Sequence, residues 1–190
     1  MSLVRNRSAF SVGANGVHPE LAELGAERTA KAVARYAAAV TRLALSFTFL
    51  WAFLDKTFGW GKATPSKSSW LNGGSPTFGF LSHAKGPFGG MFHSMAGNGI
   101  VNWLFMLALL GIGAALLLGV GMRIAAGSGA ILLVMMWGAS LPLATNPFLD
   151  DHLIYATVLV LLTAIGAGRT LGIGSWWEKQ ALVKRFPVLR

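Results

Sequence analysis

Hydrophobic residues occur along the chain in four long stretches separated by polar or mixed segments. Residues 100 to 121 and 124 to 145 contain no charged residue, and each is long enough to cross the ~30 Å hydrocarbon core of a bilayer as a helix. Two further stretches cover about residues 36 to 54, with Arg42 inside, and 152 to 168. The pattern predicts an all-α membrane protein built as a four-transmembrane-helix bundle, because helices satisfy their own backbone polar groups in lipid.

The segments between and beyond these spans predict a simple domain layout. Residues 1 to 35 form a cytoplasmic N-terminal arm, with an interfacial helix starting at Pro19, and residues 169 to 190 form a cytoplasmic tail. Both arms are short and amphipathic. Residues 1 to 30 show no removable signal peptide, so the first span is expected to direct insertion. The outer loop, residues 55 to 99, is rich in aromatic residues, glycine and proline, which predicts an ordered cap of short helical turns.

Composition and charge agree with a membrane location. Of the 190 residues 54% are hydrophobic and 12% are charged, and the formal net charge is +9. The basic residues flank the spans instead of forming one stripe, so a nucleic-acid partner is not predicted. Most of them lie on one side, which the positive-inside rule assigns to the cytoplasm together with both termini: Arg5, Arg7, Arg28, Lys31, Arg35, Arg123, Arg169, Lys179, Lys184, Arg185 and Arg190.

The residues that usually hold redox cofactors are scarce. The chain has no cysteine, and its four histidines, His18, His83, His93 and His152, lie outside the apolar centres of the spans. These counts exclude a thiolate-bound iron–sulfur cluster and a haem held by two histidines in mid-membrane. Residue types alone would allow a metal site, but without cysteine and without a His-x-x-x-His pair the signal is weak, and no metal ligand is assigned. Any electrons must therefore be carried by a bound group or a partner.

Candidate chemistry lies at the predicted outer ends of the first and fourth spans. Asp151, His152 and Tyr155 can face one pocket, since residues four apart share a helix face. A histidine beside carboxylates can pass a proton to a quinone oxygen, so we assign His152 and Asp151 to a proton path and Tyr155 to orienting the quinone ring. Capping of the helix start is the alternative role of the aspartates. Four more residues could approach the same mouth, although no spacing rule requires it: Asp55, Lys56, His83 and His93. Asp55, Lys56 and His93 are counted among the ligand-binding candidates.

Arg42 is the one charge inside an apolar stretch, and an unpaired charge there costs several kcal/mol on most scales. No acidic residue lies inside any span. Its partner is therefore a hydroxyl, a backbone carbonyl, a lipid headgroup or a bound ligand, unless the side chain simply snorkels to the nearby interface. We count Arg42 among the candidate ligand-binding residues.

Small residues at four-residue spacing let membrane helices approach closely. The second span has Gly111, Ala115 and Gly119, and the third has Ala125 and Gly129. The short turn between the two spans makes them antiparallel neighbours, so they are predicted to pack tightly.

Three motifs in order resemble the DoxX/DoxD-like membrane proteins, and most closely the actinobacterial members. They are RLALSFTFLWAFLDK at residues 42 to 56, GMR at 121 to 123 and NPFLDDH at 146 to 152. The similarity covers about residues 36 to 168. That family includes a membrane subunit of thiosulfate:quinone oxidoreductase. The resemblance implies a four-helix bundle in a bacterial cytoplasmic membrane and quinone-linked electron transfer on the periplasmic side, but it assigns no catalytic residue.

The leading hypothesis is a membrane subunit of a quinone-linked oxidoreductase or respiratory electron-transfer assembly. It would bind a menaquinone-type quinone or a lipid and depend on a partner subunit for the redox centre. The alternative is a non-catalytic accessory subunit of a larger respiratory membrane complex. A transporter or channel is less favoured, because the spans lack paired broken helices and an internal polar row.

Overall fold

The computed structural model describes residues 19 to 190, and within that range the regular structure is entirely helical. His18 and the rest of the N-terminal arm before Pro19 lie outside the described residues. Short 3-10 turns cover Ser66–Ser68, Trp70–Asn72, Ala167–Arg169 and Pro187–Leu189. The α-helices are α1 Pro19–Phe58, α2 Phe78–Leu81, α3 Gly89–Met95, α4 Gly99–Leu118, α5 Met122–Ala139, α6 Asp151–Ala164, α7 Gly174–Trp177 and α8 Ala181–Arg185.

Three of these helices, α1, α4 and α5, are long and apolar enough to cross a membrane. The fourth apolar helix, α6, has 14 residues and is therefore about 21 Å long at 1.5 Å per residue. That is shorter than the ~30 Å hydrocarbon core. The all-helical prediction is confirmed, with three helices of spanning length and a shorter fourth one.

Helix boundaries differ from the prediction in three places. The interfacial helix and the first span form one continuous helix of 40 residues, because no proline follows Pro19 within it and alanine and charged residues favour helix. Helix α5 ends at Ala139 instead of residue 145, since Pro142 cannot donate a backbone hydrogen bond. Helix α6 ends at Ala164, and Gly166 follows in a left-handed conformation with φ 68°.

The helices pack as two pairs, α1 with α4 and α5 with α6, whereas α4 and α5 make a smaller contact. A Cβ on Gly113 would lie 2.7 Å from Cγ of Leu50 in α1, and one on Gly129 would lie 2.6 Å from Cδ1 of Leu159 in α6. Gly111 faces open space. The second and third spans are in contact as predicted, and a Cβ on Gly129 would also lie 3.5 Å from Ile112 of α4. The closest glycine approaches, however, are made to α1 and α6.

The helix bundle has two distinct ends. At the first, which we call the loop end, residues 59 to 98 meet the segment between α5 and α6, where a Cβ on Gly86 would lie 2.7 Å from Cβ of Leu141. At the other, the tail end, residues 167 to 190 fold back on the α4–α5 turn, and a Cβ on Gly168 would lie 2.5 Å from the carbonyl oxygen of Gly119. Buried apolar side chains fill the space between the ends, including Leu45, Phe49, Met106, Ile112, Leu116 and Leu159.

Candidate functional site

An apolar cavity of about 350 Å³ lies between α4 and α5, directly below the loop end. Leu104 and Ile131, on its rim, are 63% and 66% exposed on the outer surface of the bundle, where a membrane would place lipid. The cavity is therefore open to the side. Its lining comes from α1, the loop, α4 and α5, and includes Lys56, Phe80, Phe92, Phe105, Ser128 and Leu132.

Lys56 is the charged residue in this lining. It belongs to the last turn of α1, and its Nζ lies 5.8 Å from the ring centroid of Phe105, which is within the range of a cation–π contact. Two hydroxyl groups of the lining are already bonded to the protein. Ser128 Oγ donates to the carbonyl oxygen of Ile124 at 2.8 Å, and Thr77 Oγ1 donates to Asn102 Oδ1 at 2.7 Å. An entering molecule would thus meet an apolar wall with one cation at its loop end.

Buried polar residues hold the loop above the cavity. Asn102 Oδ1, near the start of α4, accepts from Thr77 Oγ1, from Thr77 N at 3.4 Å and from Ser75 Oγ at 3.0 Å. Asp55 is 1% exposed, and its carboxylate accepts from the backbone N–H groups of Lys62 and Ala63 at 3.4 and 3.0 Å. Asp55 therefore fixes the loop, which is a different role from the ligand contact that the sequence suggested.

At the start of α6, Asp150 has two functions. Its Oδ1 accepts from the N–H of Leu153 at 3.2 Å and caps the helix, while its Oδ2 lies 2.7 Å from Nδ1 of His152. Asp151 is more distant, at 3.6 Å, and its side chain is 68% exposed. The nearer carboxylate partner of His152 is thus Asp150, which the predicted proton path did not include, while Asp151 stays within ion-pair distance. The ligand atoms of the three residues lie within 4.8 Å of one another, although exposed acidic groups often cluster without an ion.

The sequence predicted that the candidate residues at the loop end share one site, but the structure places them at separate positions. Lys56 lines the cavity, but His93, Asp151, His152 and Tyr155 do not. His93 is exposed on α3, and Tyr155 is partly buried against the core. Topology brings these residues to one end of the bundle, but an end is wide enough to hold more than one site.

Sequence reasoning missed Phe105 and Ser128 as lining residues. Each stands in an uninterrupted apolar helix, and nothing in its immediate surroundings distinguishes it from its neighbours. Their shared position depends on how α4 and α5 meet, which helical periodicity alone does not determine.

Arg42 is fully buried at the tail end, away from the cavity. One terminal nitrogen, Nη1, donates to the carbonyl oxygens of Leu116 and of Leu117, the latter at 3.0 Å. The other, Nη2, donates to Thr170 at 3.1 Å and to Leu171 at 2.8 Å. The side chain therefore does not snorkel. Its partners are backbone carbonyls, which were one of the predicted alternatives to a bound ligand.

The chain matches no known protein-family model, no curated protein and no solved structure. The resemblance to DoxX/DoxD-like proteins therefore stays a prediction.

Proposed function

We propose that this chain is a membrane subunit that binds a menaquinone-type quinone, or a lipid, in the cavity between α4 and α5. It would act within a quinone-linked oxidoreductase or respiratory electron-transfer assembly. The observation that carries the proposal is the side-opening apolar cavity with Lys56 at its loop end.

The chemistry of the cavity suits an amphipathic ligand. Sites for small molecules commonly measure ≈ 300–1,000 Å³ and combine apolar walls with few polar groups, and this one measures about 350 Å³. A quinone ring or acyl chain would enter from the lipid between Leu104 and Ile131. The ammonium of Lys56 would donate a hydrogen bond to a carbonyl oxygen of the ligand, since Lys carries three donors and no acceptor.

The redox centre would come from a partner subunit, because the chain has no cysteine for a cluster. In this proposal all four apolar helices lie in the bacterial cytoplasmic membrane, with the tail end facing the cytoplasm. The protons would come from the loop end, where His152 and Asp150 form their pair and Tyr155 lies one helical turn further along α6. Membrane lipids and other subunits of the complex are the proposed partners.

Filling the cavity tests ligand binding. Ser128→Phe places a ring in the lining, whereas Gly127→Phe, on the neighbouring residue, places one on an exposed position with open space around it. We expect Ser128→Phe, purified from native membranes, to lose the quinone that mass spectrometry detects with the wild type, while Gly127→Phe keeps it. Equal quinone content in both variants and the wild type would contradict the proposal.

The proton role is tested separately with His152→Ala in purified membranes. The expected result is a slower donor-dependent quinone reduction with unchanged quinone content. An unchanged rate would remove His152 from the mechanism and leave the binding proposal intact.

An accessory role is the second candidate, and the exposed first half of α1 favours it. A helix of 40 residues is about 60 Å long, roughly twice the hydrocarbon thickness. Leu21 and Val33 are each 63% exposed on this half, so a neighbouring subunit could cover them. Co-isolation with cytochromes, combined with unchanged respiratory activity when the chain is deleted, would support this role over the first.

A further inference from the structure

A second cavity, of about 180 Å³, lies at the tail end between the α4–α5 turn, the end of α6 and the folded tail. It shares no lining residue with the cavity between α4 and α5 and is separate from it. Its lining is mainly polar and includes the residues Arg123, Thr163, Arg169, Trp177, Glu178 and Arg190.

The charged side chains among the lining residues belong to three arginines and one glutamate. Arg169 Nε lies 3.1 Å from both carboxylate oxygens of Glu178, so the carboxylate occupies the Nε side of that guanidinium. One terminal nitrogen of Arg123 donates to the carbonyl oxygen of Pro187 at 3.1 Å. Since a guanidinium carries five N–H donors, several donors remain for a bound anion.

The backbone around the cavity is closely packed and fixed in place. A Cβ on Gly174 would lie 2.5 Å from the carbonyl oxygens of both Gly119 and Gly168. The backbone N–H of Arg123 donates to the carbonyl oxygen of Arg190 at 2.9 Å, and the indole N–H of Trp177 donates to Leu189 at 2.6 Å. The backbone that carries the arginines is therefore held in place by close packing and hydrogen bonds.

We propose that this tail-end cavity binds the phosphate group of an anionic ligand, either a phospholipid headgroup or free phosphate. Arginine matches phosphate geometry with two parallel hydrogen bonds. Trp177 beside the arginines is typical of the membrane interface. The proposal does not depend on quinone binding.

The test uses the full chain in dodecyl maltoside and measures lipid binding by native mass spectrometry. We expect phosphatidylglycerol to bind more tightly than phosphatidylcholine, whose choline cation the arginines repel. Arg123→Gln combined with Arg169→Gln should weaken phosphatidylglycerol binding by about tenfold for each lost arginine. Lys184→Gln, which removes a basic residue of the same tail outside the lining, should leave it unchanged.

Glu178→Gln provides a second test of the site that does not depend on removing an arginine. Because it removes the carboxylate that competes for Arg169, it should tighten phosphatidylglycerol binding, whereas a purely structural ion pair would not produce that gain. Displacement of the lipid by millimolar inorganic phosphate would assign the site to free phosphate, and resistance to it would assign the site to headgroups. The proposal is overturned if the double variant binds lipid like Lys184→Gln or if Glu178→Gln fails to bind more tightly.

Discussion

Arg42 completes the hydrogen bonding of the last turn of α4. The final four carbonyls of a helix lack partners within it. In α4 the carbonyl oxygen of Ala115 accepts from the N–H of Gly119, and that of Leu118 accepts from the N–H of Ile173. The carbonyl oxygens of Leu116 and Leu117 accept from Arg42. A cation at the carboxyl end of a helix also meets the negative end of its dipole. One guanidinium thus joins three chain segments, since it also binds the turn at residues 170 and 171.

Removing this guanidinium should destabilise the bundle strongly. Arg42→Met would leave four carbonyls without their donor, one in a buried and three in partly buried hydrogen bonds. A buried group without a partner costs about 1–3 kcal/mol, so we expect the free energy of unfolding to fall by at least about 3 kcal/mol. The free energy of unfolding of Arg42→Lys should lie between those of the wild type and Arg42→Met, because one ammonium group does not reach both sets of carbonyls. The measurement is unfolding by sodium dodecyl sulfate in mixed micelles. Arg28→Met, at an exposed position of α1, is the control; equal stability of Arg42→Met and Arg28→Met would contradict this role.

The sequence indicated that Arg42 needs a partner and included a backbone carbonyl among the alternatives. It did not indicate which carbonyls, because the acceptors lie 74 to 129 residues away. The role of Asp150 was predictable in part. Capping was foreseen for the aspartates of this segment, but the choice between Asp150 and Asp151 as the partner of His152 depends on local geometry at the helix start.

At the scale of elements, the sequence predicted the helices far better than their pairing. Long apolar runs determine that α1, α4 and α5 are helical. Small residues, however, occur on several faces of α4 and α5, so spacing alone did not distinguish Gly113, which lies against α1, from Gly111, which faces open space.

Adding a methyl group to these two glycines should separate their roles. Gly113→Ala places Cβ 2.7 Å from Leu50 Cγ and 3.1 Å from Leu50 N, so the helices must shift, which we expect to cost about 1–3 kcal/mol. Gly111→Ala meets nothing within 4 Å and should be neutral or stabilising by up to about 1 kcal/mol, since alanine favours helix over glycine. Unfolding in mixed micelles measures both variants, and a more stable Gly113→Ala would disprove the close contact.

At the scale of the whole molecule, the two cavities lie at opposite ends of the bundle, each built from segments distant in sequence. The lining of the first combines the end of α1, the loop, α4 and α5; that of the second combines the α4–α5 turn, the end of α6 and the tail. The sequence indicated the membrane character of the helices. The cavities themselves depend on tertiary packing, which apolar periodicity leaves open.

The arrangement of the two ends across a membrane can be measured directly, because the chain has no cysteine of its own. Ser94→Cys places a thiol on an exposed residue of the loop end, and Ser175→Cys places one at the tail end. A membrane-impermeant maleimide should label Ser94→Cys in intact cells and Ser175→Cys only after permeabilisation. Labelling of both thiols in intact cells would show that the two ends share a compartment.

The distance in sequence between Arg42 and its acceptors also has a consequence for biosynthesis. The ribosome makes α1 before any of those carbonyls exists, so the nascent chain carries an unmatched cation while most of the polypeptide is still being translated. An insertase with a hydrophilic vestibule, or the headgroup layer, would have to hold α1 during that interval. Chains truncated before Thr170 would lack two of the four carbonyl acceptors of Arg42, and we expect quality-control proteases to remove them.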